Sequence, residues 1–132
     1  MLSVIPAVSK ADCEHVLNHM PFAAQGDELN IIGIWSNGTC VGGVGIKYTD
    51  GKPCLSFELD YRGEIDKVKL MRDIFRYYFT IYPHIYAIID ISNYKPYKAC
   101  RQMGFKVIYT SASQWTMVLD AASWRYYKKW PL

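Results

Sequence analysis

One stretch decides the fold of this chain, residues 57–105: FELDYRGEIDKVKLMRDIFRYYFTIYPHIYAIIDISNYKPYKACRQMGF. It predicts a strand over residues 55–61, a loop, an amphipathic helix that ends near Tyr82, an apolar strand over residues 85–91 and a short helix that ends at Gly104. Two strands joined through a helix are expected to be parallel, with room for a ligand where the strands end. The stretch therefore predicts an α/β crossover with a cleft.

The longer helix of this stretch is predicted from apolar residues at three- and four-residue spacing. These residues are Val68, Met71, Ile74, Phe75, Tyr78, Phe79 and Tyr82. Pro83 is expected to end the helix. The following strand is almost entirely apolar, which predicts that both of its faces are covered. In the second helix, Pro96 suits the first turn and Gly104 suits the C-terminal cap.

The residues before this stretch predict an antiparallel meander. Asn37-Gly38 and Asp50-Gly51 are dipeptides of two-residue hairpin turns, in which both residues take a positive φ. They separate predicted strands over residues 31–36, 39–48 and 53–61. Three glycines of the middle strand predict a bulge or a close approach of two backbones: Gly42, Gly43 and Gly45.

The two ends of the chain complete the predicted order. Residues 2–6 predict a short strand, and residues 9–20 a helix that opens with Ser9 and Asp12. Residues 105–109 and 115–119 predict two last strands. With 132 residues the chain is expected to form one domain, residues 1–132. The fold class is α/β (α+β): an antiparallel meander followed by a β-α-β-α-β-β unit in a mixed sheet, with helices on both faces.

Composition limits the classes of function. The chain is 51% hydrophobic and 15% aromatic, which predicts a folded domain rather than disorder. A net charge of +3 is too small to predict a nucleic-acid partner. The basic and aromatic tail, residues 124–130, is interpreted as a segment packed on the domain edge. No run of residues resembles a signal peptide or a membrane span, so no membrane contact is expected.

Cysteine and histidine usage predicts neither a disulfide framework nor a metal site. The four cysteines contain no C-x-x-C pair and are interpreted as free thiols of a reducing compartment, the cytoplasm. They are Cys13, Cys40, Cys54 and Cys100. His15 and His19 are four residues apart, but Glu14 precedes rather than follows the first of them, so a solvated helix face is expected.

Two short motifs resemble those of a known family. Tyr61-Arg62-Gly63 follows the third meander strand, and Asn93 precedes Gly104-Phe105 by the family's spacing. Together with the order of elements, they resemble the GCN5-related N-acetyltransferase (GNAT) superfamily. The short chain with an altered loop is also similar to small phage-encoded members, some of which are thought to use the fold in virion assembly.

The resemblance implies acetyl-CoA as the cofactor. In the family, the loop after the fourth strand and the start of the next helix hold the coenzyme A pyrophosphate through backbone N–H groups. Here Ile65 and Lys67 stand at two of the family's glycine positions, and the charge of Lys67 is expected to replace part of the lost contacts. The implied cofactor-binding residues are Leu59, Tyr61, Arg62, Gly63, Glu64, Ile65, Lys67 and Asn93.

The implied reaction is transfer of an acetyl group from a thioester to an amine of a small molecule or a protein. A base must take the amine proton, and an acid can protonate the leaving thiolate. Glu58 is the first candidate base and Asp60 the second, because the two-residue period puts both on one strand face. Cys100 stands where the family has its tyrosine acid. The alternatives are a solvated strand face for the carboxylates and a helix N-cap for Asn93.

A second hypothesis is an inactive GNAT-like module that acts through a protein partner or as a homo-oligomer, for example in phage virion assembly. The altered loop and the missing tyrosine favour it, and aromatic residues often anchor interfaces. The expected location is then the host cytoplasm or the virion. The sequence favours the enzyme without excluding the module.

Overall fold

The computed structural model describes residues 2–6 and 31–124, which contain seven strands and two helices. The strands are β1 (Leu2–Pro6), β2 (Ile32–Ser36), β3 (Thr39–Thr49), β4 (Lys52–Leu59), β5 (His84–Asp90), β6 (Lys106–Thr110) and β7 (Gln114–Asp120). The helices are α1 (Lys67–Tyr78) and α2 (Tyr94–Met103). Neither helix is long and apolar enough to cross a membrane. The helix predicted over residues 9–20, with Cys13, His15 and His19, and the tail from residue 125 lie outside the described residues.

The chain divides into two compact units, residues 1–75 and 76–132. In the first unit, β1, β2, β3 and β4 pair in this order, and each strand is antiparallel to the next. In the second unit, β7 lies between β5 and β6 and is antiparallel to both. The predicted order, a meander followed by β-α-β-α-β-β, is confirmed, and with it the mixed α+β class. The single domain, the parallel crossover and the helices on both faces stay predictions.

Both hairpin turns of the first unit are as predicted. Asn37 and Gly38 have φ of 50° and 81°, and Asp50 and Gly51 have φ of 51° and 74°. Positive φ at both turn residues is the signature of a type I′ hairpin, whose twist matches that of the strands. The meander therefore follows from local turn chemistry.

One glycine of the middle strand, Gly42, lies where no side chain fits. A Cβ built on Gly42 would lie 2.6 Å from the carbonyl oxygen of Glu58 and 3.0 Å from Cδ1 of Leu59. The pairing of β2 with β3 also shifts register between Ile34 and Trp35. The predicted close approach and the predicted bulge are thus both present.

The core of the first unit is built on one face of its sheet. Ile32 pairs with Val44, which puts both on that face, and both are fully buried. Cys40 and Cys54 are buried free thiols. Helix α1, which begins in the first unit and ends in the second, buries residues at four-residue spacing, Leu70, Ile74 and Tyr78. Val68, expected in this stripe, is 43% exposed, because it lies two positions away from Leu70 around the helix.

Helix α1 is shorter than predicted at both ends. It begins at Lys67, after a loop that includes Ile65 and Asp66, and ends at Tyr78 rather than near Tyr82. The N–H groups of Thr80 and Ile81 bond to carbonyls three residues back, at 3.1 and 2.9 Å, so the last turn tightens and stops before Pro83. Strand β4 likewise ends at Leu59, two residues earlier than predicted.

Strand β5 has one buried face, so the prediction that both faces are covered was wrong. Ile85, Ala87 and Ile89 are buried, whereas Ile88 is 37% exposed. Ile89 pairs with Trp115 of β7, and Trp115 stacks on Tyr97 of α2 with ring centroids 4.0 Å apart. Helix α2 therefore packs on the face of Ile89 and leaves the face of Ile88 partly open.

The end of helix α2 agrees with its prediction. Gly104 has a φ of 110°, in the left-handed region. Its N–H bonds to the carbonyl of Arg101 at 3.2 Å, and the N–H of Phe105 bonds to that of Cys100 at 3.0 Å. This is the two-bond glycine cap that satisfies the last carbonyls of a helix.

The turn after β7 holds a buried tryptophan. The carboxylate of Asp120 accepts the N–H of Ser123 at 2.7 Å, and its main-chain carbonyl accepts the N–H of Trp124 at 3.1 Å. Trp124 is fully buried, with its ring 6.0 Å from that of Phe79. The hydrogen bonds from Ser123 hold the pKa of Asp120 below its usual value.

We expect Asp120→Ala to lower the free energy of unfolding by about 1 kcal/mol at pH 7, since it removes one hydrogen bond to a charged acceptor. A lowered folded-state pKa adds stability above the unfolded-state pKa, and this stability is lost as pH falls through the folded-state value. The difference from wild type in urea unfolding should therefore shrink in acid. Asp120→Asn, which keeps an acceptor without the charge, should retain most of the stability; a loss as large as that of Asp120→Ala would contradict this role.

Candidate active site

The loop between β4 and α1, residues 60–66, carries most of the predicted site residues. The N–H of Asp60 bonds to the carbonyl of Val41 at 2.7 Å and extends the β3–β4 ladder by one residue. The chain then leaves the sheet. The ladder therefore fixes the point at which the loop begins.

Strand register puts Glu58 on a face of small residues. Glu58 pairs with Gly43 and Ser56 with Gly45, whereas Phe57 pairs with the buried Val44 of the other face. Because paired residues share a face, the Glu58 side chain has glycine rather than a bulky side chain opposite it. Glu58 is half-buried, and Asp60 is exposed just beyond the strand.

The same register gives the direction of the Leu59 N–H. Residues of an antiparallel strand alternate between hydrogen-bonded and non-hydrogen-bonded pairs. Asp60 forms a hydrogen bond to β3. Its neighbour Leu59 therefore forms a non-hydrogen-bonded pair with Gly42. Its N–H therefore points to the edge of β4 that faces away from β3.

Tyr61 and Gly63 pack on each other in the loop. A Cβ on Gly63 would fall 2.6 Å from Cζ and 2.8 Å from Cε2 of the Tyr61 ring. A side chain at residue 63 would therefore require the Tyr61 ring to move. Arg62 and Glu64 are exposed, and Tyr61 and Ile65 are half-buried.

Asp66 caps helix α1, a role that the sequence reading missed. Its carboxylate accepts the N–H of Lys69 at 3.1 Å, and its carbonyl accepts the N–H of Leu70 at 3.0 Å. Aspartate is among the preferred residues at this position, so an Asp directly before the apolar periodicity was the available signal. Two backbone donors remain: the N–H groups of Lys67 and Val68 have no acceptor among the described residues.

The loop and the start of α1 carry two exposed cations, Arg62 and Lys67, against three carboxylates. Exposed cations and open N–H groups are what an anionic group uses at a helix start. The Lys69 ammonium is already paired with Asp73 at 3.0 Å. The residues present therefore fit a phosphate. The N–H of Lys69 is not available to it, because this N–H bonds to the carboxylate of Asp66.

A groove of about 300 Å³ adjoins the start of α1 and is mainly acidic. Its lining comprises Leu2, Glu64, Asp66, Lys69, Leu70 and Asp73. Three carboxylates against one ammonium disfavour a phosphate inside this groove. The Glu64 carboxylate would therefore repel a phosphate. Only the backbone of Glu64 could take part in binding one.

Asn93 occupies the N-cap position of α2, as the alternative reading expected, but its side chain does not cap the helix. Its φ and ψ are −98° and 73°, and its side chain makes no capping hydrogen bond. Pro96 stands third in the helix and has no N–H to offer, which removes one of the two usual partners. The N-cap position is thus confirmed and the side-chain hydrogen bond is not present, so the exposed amide of Asn93 remains available to a ligand.

Cys100 lies inside α2 with its side chain largely buried. Burial raises the pKa of its thiol from 9.0 to about 11. At neutral pH the thiol is therefore protonated, and it is a poor nucleophile. Asn93 and Cys100 belong to the second unit, and the other predicted site residues to the first.

The fold defines the class of structure: it is the fold of the GNAT N-acetyltransferases. The N-acetyltransferase PseH of Campylobacter jejuni, solved with acetyl coenzyme A, is similar over 91% of this chain and 99% of its own, with TM-score 0.62 and 14% identity. Mutant forms of the spermidine/spermine N-acetyltransferase SpeG of Vibrio cholerae are similar over 99% of this chain and 100% of theirs, with TM-score 0.71 and 11% identity.

The ribosomal-protein-S18-alanine N-acetyltransferase of Escherichia coli is similar over 91% of this chain and 94% of its own, with TM-score 0.60 and 12% identity. No family model matches the sequence. A search of curated proteins also found no match. The likeness is therefore one of fold, at identities too low to carry activity with it.

We expect Asp66→Ala to lower the free energy of unfolding by about 1 kcal/mol, because the N–H of Lys69 loses its acceptor. Asp66→Asn, an equally good cap, should stay close to wild type in urea unfolding. Asp73→Ala is the matched control: it removes only the surface pair with Lys69 and should cost about 0.5 kcal/mol or less. Equal effects of Asp66→Ala and Asp73→Ala would contradict the capping role.

Proposed function

We propose that this chain is an acetyl-CoA-dependent N-acetyltransferase that transfers an acetyl group to an amine. One observation carries the proposal: the loop after β4 runs into a helix whose Lys67 and Val68 N–H groups are open to an anion. It does so in a fold shared with PseH, a protein solved with acetyl coenzyme A. Bound acetyl-CoA would supply the activated thioester.

The first unit offers groups for the cofactor along its loop. The charges of Arg62 and Lys67 and the open N–H groups suit the pyrophosphate. Gly63, Glu64 and Ile65 would line it through their backbone, and Leu59 and Tyr61 would meet the pantetheine arm. In the second unit, the exposed amide of Asn93 makes no capping hydrogen bond and is proposed separately as a cofactor-binding group.

Glu58 is the proposed general base, with Asp60 as the second candidate. Glu58 is half-buried, and its partner across the strands is Gly43, which has no side chain. It would take the proton of the amine as nitrogen attacks the thioester carbon. The Leu59 N–H, which points away from β3, is the proposed donor to the developing oxyanion.

Cys100 is the weakest member of the proposed site. Burial raises the pKa of its thiol to about 11, which makes the thiol a weaker acid than an ordinary one. We therefore propose that Cys100 stands where the family has its tyrosine acid but contributes little to the rate of the reaction.

The acceptor is proposed as an amine of a small molecule or of a protein. SpeG is named for spermidine and spermine, and the Escherichia coli structure for an alanine of a ribosomal protein, so the fold accommodates both classes. The free thiols of Cys40, Cys54 and Cys100 agree with a reducing compartment, and the cytoplasm is the proposed location.

A non-catalytic module that acts through a protein partner is the second candidate. The observation that favours it is the Asp66 cap, which takes one of the three backbone donors at the start of α1. Carboxylates at Glu64 and Asp66 further weaken the attraction for a phosphate. This candidate predicts that acetyl-CoA does not stabilise the protein.

Acetyl-CoA at a hundred times its dissociation constant should stabilise the protein by about 2.7 kcal/mol, visible as a higher midpoint of thermal unfolding. Glu58→Gln should keep this shift and lower turnover about a hundredfold or more, because it removes only the base. Turnover is measured as release of free coenzyme A with a panel of polyamines and peptide amines.

The outcomes separate the two candidates. No thermal shift at millimolar acetyl-CoA would reject the enzyme and leave the module. A normal shift with full turnover in Glu58→Gln would keep the enzyme and transfer the role of base to Asp60, which Asp60→Asn then tests.

Cys100→Ala should change turnover by about threefold or less, because the buried thiol is a poor proton donor at neutral pH. Circular dichroism of the variant controls for loss of fold, since the substitution leaves a small cavity in α2. A folded Cys100→Ala variant with turnover reduced more than tenfold would make the thiol the acid after all.

A further inference from the structure

One face of the sheet in the second unit, the Ile88 face, is apolar at its centre and partly open. Paired residues of neighbouring strands share a face. Ile88 of β5 pairs with Thr116 of β7, which also pairs with Tyr109 of β6. Ile88 and Tyr109 are 37% and 63% exposed. The next row of the same face consists of Tyr86, Val118 and Lys106.

Polar side chains flank these two rows at both ends of the strands. At one end, Asp90 of β5 pairs with Gln114 of β7, whose amide donates to the Asp90 carboxylate at 3.4 Å. At the other end, His84 of β5 pairs with Asp120 of β7. The two-residue period of a strand places all four on the Ile88 face. Each end therefore has one carboxylate and one hydrogen-bond donor, and the two ends carry them on opposite strands.

This arrangement is self-complementary. Two copies of the face can be placed against each other by a two-fold rotation about an axis that lies between the sheets and crosses the strands. Each β5 is then antiparallel to the β5 of the other copy, so the Asp90 carboxylate meets the His84 imidazole of the second copy. On β7, the Gln114 amide meets the Asp120 carboxylate in the same way. At the centre, the two apolar rows meet each other.

Charge favours this orientation over the other two-fold arrangement. If the axis ran along the strands, the central strand β7 would face itself row by row. Asp120 of one copy would then meet Asp120 of the other, and two carboxylates directly opposite each other repel. In the antiparallel arrangement no carboxylate of the face meets another. Lys106 instead lies opposite Tyr109 of the second copy, where its ammonium can contact the ring.

We propose that two copies of the chain form a dimer through their Ile88 faces, with the β5 strands antiparallel. Sheets packed face to face lie about 10 Å apart, and the side chains of both fill the space between them. Three strands about 4.8 Å apart and four rows about 7 Å apart give each face a length of about 20 Å and a smaller width. Such a face is smaller than the roughly 800 Å² per partner of a standard interface, so a weak dimer with a dissociation constant of about 100 µM is expected. The dimer would form with or without acetyltransferase activity.

The test is analytical ultracentrifugation of the full chain from about 5 µM to about 1 mM, a range that brackets this dissociation constant. Wild type should change from monomer to dimer across the range. Ile88→Asp should remain monomeric, because it buries a carboxylate between the apolar rows. Ile81→Asp is the matched control: Ile81 is an isoleucine of similar exposure, 43%, in the same unit, and its substitution should leave the dimer unchanged.

A second pair of variants tests the orientation. His84→Lys should tighten the dimer about threefold, because its ammonium would meet the Asp90 carboxylate of the second copy. In a chain that also carries Asp90→Asn, the same lysine should give no gain, since its charged partner is absent. Equal tightening by His84→Lys with and without Asp90→Asn would overturn the antiparallel arrangement.

Thermal unfolding of each variant separates loss of the interface from loss of the fold. A wild type that stays monomeric at about 1 mM would overturn the proposal. If Ile88→Asp then also lowers the midpoint sharply in that monomer, the chain itself covers the face. Loss of the dimer in Ile81→Asp as well as in Ile88→Asp would equally overturn it, because the effect would not be specific to the Ile88 face.

Discussion

Pairing of β3 with β4 is the constraint on which the first unit depends. The two strands stay in register from Thr49 and Lys52 to Gly42 and Leu59, and the N–H of Asp60 adds one more bond. That register decides which side chains share the face of Glu58 and which backbone groups are left unpaired. The close approach at Gly42, where a Cβ would lie 2.6 Å from a carbonyl oxygen, ties the ladder to a single residue type.

In the loop that follows, the residue that stabilises helix α1 also weakens the binding of an anion. Asp66 satisfies a backbone N–H that would otherwise be unpaired at the start of α1, and a carboxylate at this end of a helix is also favoured by the helix dipole. The same N–H and the same positive end of the dipole are what a phosphate would use. A built-in carboxylate therefore competes with an external anion for one position. Arg62 and Lys67 are the charges that offset it.

In the second unit, one stack of rings organises helix α2. Contact of Tyr97 with Trp115 fixes which side of the helix faces the sheet. Cys100, three residues along from Tyr97, consequently lies in a largely buried position, and burial raises its pKa. The adjoining side, with Tyr94 and Lys98, is exposed. A single packing contact thus decides which residues of α2 can meet a ligand.

The sequence by itself determined the order of elements, the hairpin turns at Asn37-Gly38 and Asp50-Gly51, the glycine cap at Gly104 and the position of the loop after β4. Each depends on local chemistry: positive φ, the missing Cβ of glycine, or a periodicity within one element. The contiguous site residues, from Glu58 to Lys67, could be named from the sequence because one loop carries them.

Only the tertiary structure decided burial and hydrogen-bond partners. Val68 and Ile88 are apolar yet exposed, since the packing of neighbouring elements, not hydropathy, selects the covered face. The sequence could not tell whether Asn93 caps α2, because that depends on the orientation of its side chain. Nor could it give the pKa of Cys100 or the acceptor for the Lys69 N–H, which depend on desolvation and on the path of the backbone through residues 60–66.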